Sequence, residues 1–517
     1  MNQNNLGKKV ASEAITSFGG MSAGSVFRYL FSILMARWLG PYWLGIYSIG
    51  NAVTRIGEIF GIMGLDNGVL RYVSREKEKN NKVKNSIYSS IKMGFLSSIF
   101  VGILIYFSSN WIALRFDNVF IGITQFPFIE ISFLPTVIKV YAATLPFTVT
   151  TLIASFATQG FKILKYKVFV NQIVNPFTLL LTMMFSYIFF GTKSAILAPT
   201  VFSAIIGFFL ILFYLKRFVN ISIKKVINAK IDTKILKFSL PLMFVSAIGI
   251  IMHWIDVFMI SIIKDPSAVG MYHPIERTAG LIRMILFAFA GIFAPLFSQY
   301  FYQNNSEKMK EIYQLSTKWI FAVSLPLFIF LIIFSSEMLM LFGNEFDNEL
   351  ALRILATGIM IQAFFGLGSS SLSMSGFSNV NLFNVLVALI VNIVMNIILI
   401  PEHGIIGAAF GTAIALFFIS FLRFFENYYI LNLNIFSIKL LKPFFAGALT
   451  AGSAILFDEH VFILFDYSSS ILNLSLYLLS AICTILILYF SFYILLGLDE
   501  EDKDMIDSLK QKILNQS

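Results

Sequence analysis

"ILAPTVFSAIIGFFLILFYL" (Ile196–Leu215) runs without a charged residue. An α-helix rises about 1.5 Å per residue, so a run of roughly 20 residues spans about 30 Å, the hydrocarbon thickness of a bilayer. A second such run covers Ile471–Leu496. Inside lipid no water reaches the backbone N–H and C=O groups, so only helices or a closed barrel can cross. The apolar residues do not alternate strictly, which selects helices.

The rest of the chain points the same way. Of its 517 residues 57% are hydrophobic and only 13% charged, and mean hydropathy is +0.81. A soluble protein of this size needs far more polar surface. The single cysteine, Cys483, excludes an internal disulfide or a thiolate metal cluster. No cofactor and no metal site is expected. Residues 1–13 are polar, with Lys8 and Lys9, and a full-length apolar stretch follows, so that stretch reads as a first span rather than a cleaved signal.

About fourteen spans are predicted: near 14–38, 43–64, 87–107, 131–156, 168–190, 194–215, 238–263, 278–298, 317–341, 351–373, 380–400, 405–425, 443–463 and 471–496. Basic residues gather in alternate loops. The second carries Arg71, Arg75, Lys77, Lys79, Lys82 and Lys84, the fourth Lys162, Lys165 and Lys167. The sixth carries Lys216, Arg217, Lys224, Lys225, Lys230, Lys234 and Lys237, the eighth Lys308 and Lys310, the twelfth Lys439 and Lys442. Odd loops such as "GNEFDNE" (343–349), "PEHG" (401–404) and "FDEHVFILFD" (457–466) are short and poor in base. The tenth, "SMSGFSNVN", carries no basic residue. Cytoplasmic loops collect Lys and Arg, so the even loops and both termini are placed in the cytoplasm of a cell (cytoplasmic) membrane protein. This alternation also explains the net charge of +10 without a nucleic-acid partner. The tail reads as a solvated cap on the last span, the alternative being a surface helix with Met505, Ile506, Leu509 and Ile513 on one face.

The two halves repeat. "LGIYSIG" (44–50) matches "VGMYHPI" (269–275), "FATQGFK" (156–162) matches "LSMSGFS" (372–378), and "FGTKSAILA" (190–198) matches "HGIIGAAFG" (403–411). Six helices per half give parallel repeats, a design that places a transport site near the midplane between halves. The expected division is 1–220 and 221–435 for two six-helix lobes, 436–497 for two extra helices, and 498–517 for a cytoplasmic tail.

On these residues the chain resembles a known family. "ARWLGPYWLGIYSIG" (36–50) is similar to the first-loop signature of Wzx-type polysaccharide and oligosaccharide flippases, within the multidrug/oligosaccharidyl-lipid/polysaccharide exporter superfamily. "FSLPLMFVSAIGIIMHWIDVFMI" (238–260), with Pro241 and Asp256, resembles their seventh span, and "VGMYHPIERTAGLI" (269–282) and "LFGNEF" (341–346) also match. The "LDEED" after the last span looks like archaeal members. The resemblance implies an all-α polytopic protein with two six-helix lobes in a V plus two C-terminal helices. It also implies a polyprenyl phosphate or pyrophosphate bearing sugars as substrate.

Charged residues within spans then become the candidate site, because a charge at mid-membrane is costly and rarely faces lipid. They are Arg28 and Arg37 in the first span, Arg55 and Glu58 in the second, Lys139 in the fourth, His253 and Asp256 in the seventh, and Glu276, Arg277 and Arg283 in the eighth. The basic excess suits a phosphate, whose oxygens match forked guanidinium donors. Substrate binding is assigned to Arg28, Arg55, Arg283, Arg277 and Lys139; Arg28, Arg55 and Arg283 lie on spans that also carry arginines in the lipid II flippase relatives. Asp256, Glu58 and His253 are the candidates for coupling to Na+ or H+.

Blander readings stand beside these. Arg55 and Glu58, at i,i+3, can pair with each other; Arg37 can snorkel; Glu276 and Arg277 can be interfacial; Lys139 can sit at a span end. His253 and Asp256 can bond internally. Gly19, Gly20, Gly24, Gly57, Gly61 and Gly64 suit close helix packing, and Pro146, Pro176, Pro241, Pro295 and Pro326 suit kinks. Gln159, Asn171, Gln172, Asn175, Gln362, Asn381, Asn384, Asn392 and Asn396 read as interhelical glue, with sugar binding as the alternative.

The expected function is alternating-access flipping of a polyprenyl-linked oligosaccharide for cell-surface glycan assembly, without covalent chemistry. Expected partners are that substrate, membrane lipids and glycan-assembly enzymes. A cation-coupled drug exporter of the same superfamily is the first rival, and its usual acidic cavity conflicts with the basic excess. A glycosyl polymerase or ligase is the second, and the outer loops are too short for a catalytic domain. A flippase for lipid II or for sporulation would differ only in cargo.

Overall fold

In the computed structural model each of the fourteen predicted spans lies mainly on helix over its described residues. The structure describes residues 3–75, 81–116, 133–161, 163–460 and 470–503. Lys77, Lys79, Lys162, the end of the 457–466 loop and the proposed tail face at Met505, Ile506, Leu509 and Ile513 lie outside the described residues.

Helix α1 (Gln3–Ile62) carries the first two spans and α2 (Leu65–Arg75) follows it. Then come α3 (Asn81–Phe116), α4 (Leu134–Gly160), α5 (Lys165–Val168), α6 (Asn175–Phe190) and α7 (Thr192–Leu215). A π-wound stretch, Phe169–Val174, joins α5 to α6. The linker helix α8 (Ile223–Ile227) leads to α9 (Thr233–Ile263), α10 (Pro266–Tyr302), α11 (Ser306–Ile333) and α12 (Ser335–Met340). After these come α13 (Glu349–Phe364), α14 (Gly368–Met374), α15 (Ser378–Leu431), α16 (Leu441–His460) and α17 (Ile471–Leu495).

Among the described residues nine helices are long and apolar enough to cross a membrane, or ten if the bent pair α13–α14 (42°) forms one span. Continuity of backbone accounts for part of the difference, since α15 counts once and carries two predicted spans, while α1 and α16, which carry three more, are not among the nine. A straight helix of the 54 residues in α15 would reach about 80 Å, far beyond one bilayer. It breaks instead at Gly404 (φ 56°, ψ −127°), between two predicted spans. Likewise α1 breaks at Gly40 (φ 82°, ψ 176°), just before Pro41. A side chain would oppose that positive φ.

Elsewhere local chemistry sets the ends. The Asp232 carboxylate accepts from the N–H of Lys234 and of Ile235 to start α9. Asn305 and Ser470 cap α11 and α17 in the same way, each satisfying donors that a helix start leaves orphaned.

Packing divides the chain into two units: Met1–Pro274 with Asn396–Ala408, and Ile275–Met395 with Ala409–Ser517. In the first, α4 packs against α3, α7, α1 and α2. Leu65, Val69, Val83, Ile87, Ile153 and Ile211 form its buried apolar cluster. The sixth loop is tied to α3, since Tyr88 donates to the Asn220 carbonyl at 2.7 Å and Lys92 to the Ile227 carbonyl at 2.6 Å. In the second unit α11 packs against α13, α16 and α17. Ala322, Ala446, Tyr489 and Tyr493 are buried together there.

Candidate functional site

The first unit holds six of the eight candidate residues. On the second half of α1, Arg55 Nη1 lies 2.6 Å from Glu58 Oε2. The i,i+3 spacing puts both on one face. The Arg55 side chain is 51% exposed and that of Glu58 only 7%, so the pair leaves the guanidinium open while burying its counter-charge. On the first half, Arg28 Nη2 donates to Gln172 Oε1 at 2.5 Å. Gln172 sits in the π-wound stretch, a widened turn of a kind often found at functional sites. Lys139 on α4 is half-buried, its Nζ 5.7 Å from the centre of the Tyr106 ring. Arg37 is exposed.

Asp256 on α9 is buried, at 8% exposure. Its Oδ2 accepts from the Tyr272 hydroxyl at 3.0 Å and its Oδ1 from Asn396 Nδ2 at 2.8 Å. Two neutral donors thus meet a carboxylate that lipid would otherwise strand. His253, one turn earlier, is exposed, its ring against that of Trp254.

Arg277 and Arg283 lie on the part of α10 that belongs to the second unit, and both are half-buried. Among the described residues, Arg277 Nε is buried without a hydrogen-bond partner. Glu276 is half-buried and engaged.

The polar residues flagged along the spans join helices. Asn171 donates to Ser155 (2.8 Å), Asn384 to Glu426 (2.5 Å) and Asn392 to Thr412 (3.1 Å). Asn381 accepts from Nε and Nη2 of Arg423. A shallow apolar groove of about 350 Å³ lies between α13 and α15, with Arg353 among its lining residues. That guanidinium is engaged, Nε donating to Ser335 at 2.7 Å and Nη2 lying 3.3 Å from Glu349.

Two features were not anticipated from sequence. The buried His273 imidazole stands between two serines, Nε2 at 3.2 Å from Ser32 Oγ and Nδ1 at 3.0 Å from Ser48 Oγ. The repeated strips "LGIYSIG" and "VGMYHPI" also meet, with Gly45 against the Pro266 carbonyl and Gly270 against the Pro41 carbonyl, so that a Cβ at either would fall on backbone. The repeat itself was legible; that its copies touch was not.

Known proteins complete the description. The family model described as polysaccharide biosynthesis protein matches residues 10–301, more than half of the chain. The MatE model matches residues 241–398. The "Probable low-salt glycan biosynthesis flippase Agl15" of Haloferax volcanii is 27% identical over 169 residues, 32% of this chain and 36% of that protein. An uncharacterized membrane protein of Methanocaldococcus jannaschii is 28% identical over 44% of this chain and 55% of its own length. The chain thus spans about a third and about half of these two relatives. Among solved structures, the lipid II flippase MurJ in an inward closed conformation superposes with a TM-score of 0.70 at 16% identity, over 94% of this chain and 99% of that one. An inward-facing multidrug resistance MATE family transporter of the MOP superfamily gives 0.66 at 17% identity, over 81% and 98%. These likenesses show the fold.

Proposed function

The chain belongs to the polysaccharide biosynthesis protein family as a multi-pass membrane transporter of the multidrug/oligosaccharidyl-lipid/polysaccharide exporter superfamily, and from that premise we propose that it flips polyprenyl-(pyro)phosphate-linked oligosaccharides across the cytoplasmic membrane. The observation that carries this reading is Arg55: a guanidinium in mid-span, half exposed beside a buried carboxylate. A group so placed avoids lipid by facing water, where its fork is open to phosphate oxygens. Arg28, Lys139, Arg277 and Arg283 are the further basic groups assigned to the headgroup. The glycan name of the haloarchaeal relative supports the cargo class.

The cycle is alternating access, with the headgroup in water and the isoprenoid tail in lipid. It needs a drive, and one cation moving inward down the potential gains about 2.3 kcal/mol per 100 mV. Asp256, Glu58 and His253 are the groups proposed to couple H+ or Na+. The same reading divides the chain at 220/221, 435/436 and 497/498, puts both termini in the cytoplasm, and makes glycan-assembly enzymes its neighbours.

A drug exporter is the second reading, favoured by the MatE match over 241–398. Purified chain in vesicles separates the two. Protein-dependent transfer of a labelled polyprenyl-pyrophosphoryl oligosaccharide, scored by access of an external glycosidase, is expected. No transfer above protein-free vesicles, with uptake of a cationic dye instead, would overturn the flippase reading.

A further inference from the structure

The environment of His273 carries an inference of its own, independent of the cargo. Ser32 Oγ donates to the Arg28 carbonyl at 3.0 Å, and Ser48 Oγ to the Leu44 carbonyl at 2.9 Å. Each hydroxyl has one proton, and a carbonyl can only accept. With their protons so used, both serines can only accept from the imidazole. Nε2 and Nδ1 must then both be N–H donors, as in the imidazolium alone. A neutral ring has one bare nitrogen, and the serine facing it must turn its proton away from the helix carbonyl. The two ring–serine contacts and the two serine–carbonyl contacts are satisfied together only when the ring carries its second proton.

The position gives this proton a mechanical meaning. Ser32 precedes the break of α1 at Gly40 and Ser48 follows it, while His273 stands on α10. One ring therefore fastens both halves of a broken helix to a third element. We propose that His273 is a proton-binding site of this transporter, and that the bound proton clamps the two halves of α1 to α10. Release of the proton leaves two uncharged ring–serine bonds, one of them now donated by the serine, and draws that hydroxyl from its helix carbonyl, so the ring holds the two halves of α1 less tightly.

Other titratable groups surround it. From α1 comes Tyr47, its ring 6.5 Å from the imidazole at 79°, and Arg28, whose guanidinium is taken by Gln172. From α4 comes Tyr141, 6.4 Å from Tyr47, with its hydroxyl on the Ile196 carbonyl. From α9 comes Asp256, bonded to Tyr272, the residue before His273. Glu276 lies one turn further along α10. Burial opposes the charge, and the two serine acceptors offset that opposition.

The test reads the ring directly. The chain has four histidines; replacing His253, His403 and His460 by Gln leaves one imidazole in full-length protein, labelled with 15N and held in lipid nanodiscs. Its signal is expected to convert between neutral and doubly protonated forms between about pH 5 and about pH 8. Ser32→Ala and Ser48→Ala are each expected to lower the proton affinity about tenfold, one pH unit, for one lost charge-assisted bond. A ring that stays a single neutral tautomer throughout overturns the proposal, as does a titration that neither serine variant moves. None of these outcomes depends on which cargo is carried.

Discussion

Lys318 Nζ lies 2.7 Å from Asp502 Oδ1, with the lysine side chain 1% and the aspartate 6% exposed. A second carboxylate, Asp499, is 3.0 Å from the same ammonium. Trp319 Nε1 donates to Asp502 Oδ1 at 2.9 Å and the Tyr493 hydroxyl to its Oδ2 at 3.0 Å. Lys442 meets Asp499 at 2.5 Å, and Lys439 pairs with Glu501. The start of the tail, expected to be solvated, is thus an ionic joint against α11 and the beginning of α16.

Removing one partner of a buried pair costs more than the pair contributes, because a buried charge is left behind. Lys318→Met is expected to destabilise the protein by about 3–5 kcal/mol, read as a lowered unfolding midpoint in nanodiscs. The double variant Lys318→Met, Asp502→Leu is expected to recover part of that loss. A single variant as stable as the parent would show that the joint contributes nothing.

The joint is expected to weaken at both extremes of pH. Burial pushes the Asp499 and Asp502 carboxyls up, but hydrogen bonds from Lys442 and Lys318 outweigh it and hold both below the usual 3.8. The bond from Lys439 holds Glu501 below 4.5. Depressed carboxylates stabilise fully above those ordinary values, and the contribution disappears as pH falls through the lower folded ones. The bond to Glu501 raises Lys439 above 10.5, so its contribution persists below that pH and disappears as pH rises past the folded value. Unfolding midpoints measured against pH for the parent and for Asp499→Asn should converge on acidification.

Arg55→Lys separates two roles. Lysine keeps the charge opposite Glu58 but loses the fork. The variant is expected to fold normally and to flip the labelled substrate about tenfold more slowly, the cost of one charge-assisted hydrogen bond. Full activity would reduce Arg55 to a counter-charge for Glu58.

Gly270→Ala places a methyl group on the Pro41 carbonyl. Backbone cannot move aside as a side-chain tip can, so a loss of at least about 1–3 kcal/mol is expected. Gly249→Ala, whose added Cβ meets nothing within 4 Å, is the control in the same thermal assay.

Much of the architecture was legible because a bilayer imposes a length on apolar runs, and nine or ten helices of that length and character stand among the described residues. The pairing of Arg55 with Glu58 was legible too, since three residues make less than one turn. What escaped was every contact between distant segments. Ser32 and His273 are 241 residues apart and Arg28 and Gln172 are 144 apart, and no periodicity in one chain links such positions. His273 sits in a strip noticed as a repeat and as part of the family resemblance, where it stands opposite Ser48. Lys318 was not singled out in the sequence, because its carboxylates lie 181 residues away or more. The grouping of Arg277 and Arg283 with the other basic residues rests on the proposed function.

The crossing at Gly45 and Gly270 has a historical consequence. When a duplicated segment folds so that its two copies press on each other at the same residue, a methyl group acquired by either copy is felt by both. The seam therefore resists divergence from two sides at once.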